Sequence, residues 1–149
     1  MSWQQLIPIL QIAVGPVILI SGVGLLLLGM TNRLGRIVDR SRQLVRSARE
    51  LDPEDRQVTI AQLRILDRRA RLVQAAIALA CLSALSAALL VVTLFLAALA
   101  GAEVGGVIVA IFVACLGALI AALLVFFRDI HLALVALRLE TASLLAPDD

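Results

Sequence analysis

The chain has 149 residues, 62% of them hydrophobic, and a mean hydropathy of +1.04. A water-soluble fold of this size is too small to hide that much apolar surface, since soluble domains hold roughly 45–50% apolar residues. A formal charge of +2 says less than its distribution. All basic residues are arginine, and 11 of the 13 fall between Arg33 and Arg71.

The N-terminal MSWQQLIPIL lacks a positive leading region, and no small-residue cleavage site follows it, so it reads as the start of a retained span. Three stretches reach the roughly 20 apolar residues that cross a bilayer. They are 6–30, 72–100 and 107–127, and none contains a charged residue. The GAEVGG segment from Gly101 to Gly106 leaves room only for a tight turn between the second and third. The positive-inside rule places the arginine-dense segment 31–71 in the cytoplasm, with the N-terminus outside and the C-terminus inside. Arg128 and Arg138 agree with that orientation, and Trp3 would sit at the outer interface.

Within 31–71, Leu34, Ile37, Val38, Leu44, Val45, Ala48 and Leu51 recur at helical steps, as do Leu63, Leu66, Ala70, Val73 and Ile77. Asp52 suits an N-cap and Pro53 a first helical position, with Glu54 and Asp55 at the positive end of the dipole. The expected architecture is therefore all-α: a three-helix transmembrane protein whose first two helices extend into a cytoplasmic antiparallel coiled-coil hairpin. Residues 130–145 read as an amphipathic helix that joins this stalk or lies on the membrane. Asp39 and Asp67 are expected in ion pairs between the two arms. The acidic residues Glu50, Asp52, Glu54 and Asp55 at the tip read as capping.

Two faces stand out as candidate sites. Gln4, Gln11, Gly15, Ser21, Gly22 and Gly29 give the first span a small and polar face. Such a face packs on the second span or lines a pore between subunits. Arg33, Arg36 and Arg40, with Arg64, Arg68 and Arg71 on the return, form a collar that anchors topology or contacts anionic lipid. His131, with Arg128 and Asp129 beside it, is a further candidate for a pH- or ion-sensitive element at the inner mouth. Cys81 and Cys115 read as small hydrophobes at similar depth. No metal-ligand spacing, glycine-rich phosphate loop or triad is present, so neither catalysis, metal nor cofactor is expected. Acidic dilution of the arginines and the near absence of aromatics argue against nucleic acid.

The runs PVILISGVGLLLLGMTNRLGRIVDRSRQL (Pro16 to Leu44) and QLRILDRRARLVQAAIALA (Gln62 to Ala80) resemble the bacterial membrane family catalogued as domain of unknown function 2721. Asn32-Arg33, Arg36, Asp39-Arg40 and the block from Leu66 to Arg71 carry most of that resemblance. It implies a small three-span protein of the bacterial inner membrane and brings no activity or functional residue with it. The reading that follows is a homo-oligomeric membrane assembly conducting ions between its subunits. Its alternative is a non-conducting scaffold or regulatory subunit that binds a cytoplasmic partner or anionic lipid.

Overall fold

The computed structural model describes the backbone of residues 3–48, 52–101 and 103–145. Three helices account for nearly all of it: α1 (Trp3–Ser47), α2 (Pro53–Ala100) and α3 (Gly105–Leu145). All three are long and apolar enough to cross a membrane, as in a multi-pass integral membrane protein. The arginine-dense segment is helical on either side of the break before Pro53. Straight-chain and apolar residues carry the helix out of the first apolar stretch and back into the second.

Each end has a local cause. Asp52 occupies the N-cap position in extended geometry, and Pro53 follows as the first helical residue. The Asp52 side chain makes no capping bond; its carbonyl accepts from the Arg56 N–H at 3.0 Å. Gly101 ends α2 in the left-handed region, φ +63°, where its N–H returns to the Ala97 carbonyl. Only glycine enters that region at no steric cost. Residues 130–145 continue α3 without a break at Phe127. The side chains of Trp3, Gln4 and Glu54 and those of 134–145 lie outside the described residues, as do Glu50 and Leu51.

The middle helix α2 packs on both neighbours. In its apolar window 28% is buried, against 11% in α1 and in α3, so the two flanking helices keep most of their surface free. The buried positions repeat every seventh residue. In α1 they include Val23, Met30 and Ile37, with Ala13 ten residues before Val23, and in α2 Thr59, Leu66, Val73, Ala80 and Ala87, with Ala76, Ser83 and Leu90 three residues on. In α3 they are Cys115, Ala122 and Asp129. A seven-residue step keeps one seam of a helix against its partner over many turns. The alanines at these positions let the backbones come close, as membrane helices require when no hydrophobic force drives them together.

The glycines of α1 are not at that seam. A Cβ added at Gly15, Gly22, Gly24 or Gly29 would meet nothing within 4 Å. At these glycines the close contact with the second span is not made: α1 meets α2 through Val23, Met30 and Ile37, about a quarter-turn away around the helix.

Candidate functional site

One position on the seven-residue seam of α3 breaks its apolar character. Asp129 follows Cys115 and Ala122 in step, and its side chain is fully buried. A carboxylate in such a place needs partners, because burying an unpaired charge costs several kcal/mol. Two arginines supply them. The Arg33 Nε donates to Oδ2 of Asp129 at 2.7 Å, and the Arg69 Nε donates to Oδ1 at 3.4 Å. One carboxylate thus ties α1, α2 and α3 together at a single level. The Arg33 guanidinium also lies 5.8 Å from the centre of the Phe126 ring, one turn before Asp129 on α3. This contact fixes the plane of the cation against an aromatic face.

The level is the edge of the apolar layer. Arg33 is the first charged residue of α1, Arg71 the last of α2, and Arg128 the first of α3. Arg33 and Arg69 keep 22% and 23% of their side chains exposed, while Asp129 keeps none. The anion is sealed between the helices and the cations open outward, with their stems on apolar surface. Two cations and one anion leave the node at +1. No buried side-chain nitrogen or oxygen among the described residues lacks a partner.

The other predicted residues fall elsewhere. Arg36, Arg40, Arg64, Arg68 and Arg71 are exposed, as is Asp39. Asp67 accepts from the Arg71 Nε at 3.0 Å on its own helix, so it does not bridge the arms; the bridges between helices run through Asp129. Gln11, Gly15, Ser21, Gly22 and Gly29 are exposed on α1. Arg128 and His131 are exposed. Among the described residues no three His, Cys, Asp or Glu side chains converge as metal ligands would.

A second polar contact lies deeper in the apolar layer. The Ser83 hydroxyl donates to the Cys115 carbonyl at 2.9 Å, and the Cys115 thiol donates to the Ser83 carbonyl at 3.3 Å. Both residues are buried, and the pair clamps α2 to α3, whereas Cys81 lies on the exposed surface. Ser83→Ala removes one of these bonds without emptying the seam. It is expected to cost about 0.6 kcal/mol, the average for a hydrogen bond between membrane helices. Detergent-induced unfolding followed by circular dichroism reads that difference.

Apolar surface surrounds these contacts. An open groove of about 390 Å³ lies between the helices, with Gly15, Pro16 and Leu19 on one wall and Phe112 and Leu116 on the other. A shallower one of about 420 Å³ runs along α3 beside Phe126.

No curated protein and no solved structure matches the chain. One family model does match, described as a protein of unknown function (DUF2721), over residues 13–139. That stretch holds the seam, the Arg33–Asp129–Arg69 node and all but the first turns of α1. The chain belongs to the DUF2721 family.

Proposed function

We propose that the protein is a non-enzymatic, homo-oligomeric scaffold of the bacterial inner membrane. It assembles through the open face of α1 and presents the arms 31–71 in the cytoplasm as an antiparallel coiled-coil hairpin. One observation carries this reading: the glycine stripe of α1 is empty. Gly15, Gly22 and Gly29 repeat every seven residues with nothing within 4 Å of any added Cβ, so a second backbone can approach there. The arms add support. Val58 and Ile65, also seven apart, remain exposed after α1 and α2 pair, which suits a surface meant for a partner.

Conduction between subunits is the weaker form of the same assembly. Ser21 and Thr31 on α1, and Ser86 and Thr93 on α2, donate their hydroxyls to carbonyls of their own helices. Among the described residues, the polar groups left to line a path at the α1 face are few, Gln11 foremost.

The test uses the purified chain in mild detergent and in liposomes. Wild type is expected to run as a multiple of 15.8 kDa by light scattering. Gly22→Leu and Gly29→Leu are expected to shift it toward the monomer with no loss of unfolding resistance, because leucine is the better helix former by under about 1 kcal/mol and its Cβ has nothing within 4 Å. Ion flux is expected to match empty liposomes. A monomeric wild type would sink the assembly, and flux above background would replace the scaffold with a channel.

A further inference from the structure

Arg33 and Arg69 each give Asp129 only an Nε. Among the described residues no protein acceptor takes their terminal Nη groups, and these atoms reach the surface. The node therefore presents two guanidiniums held in place by one carboxylate, with a charge of +1 unspent at the edge of the apolar layer. A guanidinium fork matches the oxygens of a phosphate better than any other side chain does.

The apolar side of the node points the same way. The ring of Phe126 that carries Arg33 is also one end of the shallow groove formed by Ile120, Leu123, Leu124 and Phe127. From Ile120 to Phe127 the groove runs about 10 Å down the helix axis, the depth of part of an acyl chain. Charged donors thus sit directly above a strip of apolar surface, joined by one aromatic ring. A free anion would use only the first of these; an amphiphile uses both.

We infer that Arg33, Arg69 and the Phe126 groove form a binding site for an anionic phospholipid. Its headgroup phosphate lies on the Nη groups, and one acyl chain lies along Ile120–Phe127. Asp129 is the positioning residue, orienting both cations through their Nε atoms without touching the lipid. Arg69, outside the collar of exposed arginines, is the member contributed by α2. The inference rests on the chain's being embedded in a bilayer and does not depend on oligomerisation.

The experiment measures lipid retained by the purified full chain after detergent washing, by mass spectrometry, with phosphatidylglycerol or phosphatidylcholine supplied. Phosphatidylglycerol is expected to be held preferentially, and an excess of inorganic phosphate is expected not to displace it. Arg33→Gln and Arg69→Gln are each expected to lower retention about tenfold or more, the effect of losing a charge-assisted hydrogen bond. Ile120→Trp fills the groove from an exposed position and is expected to lower retention several-fold while the protein unfolds like wild type. Arg56→Gln, at the far end of the arms, is expected to retain lipid as wild type does. Wild-type retention in the Arg33, Arg69 and Ile120 variants overturns the site. Loss in the arginine variants alone, with phosphate competing, overturns the lipid assignment and leaves a free-anion site. Because the readout is bound lipid and not oligomeric state, a failure here leaves the glycine-face assembly standing, and the reverse holds as well.

Discussion

Asp129→Asn is expected to destabilise the protein by about 3 kcal/mol, the lower end of the cost of breaking a buried ion pair by removing one partner. The lower end applies because the charges left behind belong to Arg33 and Arg69, which keep about a fifth of their side chains exposed and can extend toward water. The same reasoning orders the related variants. Arg33→Gln leaves Asp129 paired with Arg69 and costs less. Arg33→Gln with Arg69→Gln leaves the fully buried carboxylate bare and costs more. Replacing all three with apolar residues, as Arg33→Met, Arg69→Met and Asp129→Leu, restores most of the loss, because a buried ion pair is rarely more stable than well-packed apolar residues of similar volume. Detergent-induced unfolding monitored by circular dichroism reads the series. If Asp129→Asn falls within about 0.5 kcal/mol of wild type, the change expected of an ordinary surface substitution, the three helices are not tied at this point.

Much of the architecture was legible because bilayer thickness and helix rise leave few choices. Three uncharged stretches became three helices, and the punctuation at Asp52-Pro53 and Gly101 fell where the chain turns. The node was harder to read. Asp129 sits between Arg128 and His131, a polar flank that invites an exposed assignment; only the phase of α3 on α2 turns it inward. The signal was present in the step from Cys115 through Ala122 to Asp129, the step that also links Leu66, Val73 and Ala80. Arg69 was hidden differently. Arg64, Arg68 and Arg71 share one exposed stripe at i, i+4 and i+7, which draws attention away from Arg69, about 100° further round the helix. Arg69 lies seven residues before Ala76 and fourteen before Ser83, both buried, and that register selects it. The glycines of α1 are ambiguous for a related reason. Small residues mark a close approach, but spacing does not name the helix that approaches. Within the subunit that role belongs to Ala76, Ala80 and Ala122.

Ala122→Phe should therefore be among the most damaging single changes that leave every charge in place. Ala122 is completely buried in the cluster that joins Met30 and Val73 to α3, so the added volume of a phenylalanine is expected to push the helices apart. Overpacking of this kind typically costs about 1–3 kcal/mol, and the upper end is expected at a fully buried position in a cluster drawn from all three helices. The damage also travels. Asp129 lies two turns along the same seam, so lifting α3 at Ala122 draws the carboxylate away from Arg33 and Arg69. The ion pairs are then already weakened before Asp129 is altered. In a double-mutant cycle, Ala122→Phe with Asp129→Asn is expected to cost less than the two single changes added together, by about 1 kcal/mol or more, the coupling found for residues sharing one packed element. Gly22→Leu, which adds volume to an open face, is expected to be additive with both. Strict additivity of Ala122→Phe and Asp129→Asn would mean that the seam and the charged node hold α3 independently, and that the node closes whether or not the alanine layer beneath it is packed.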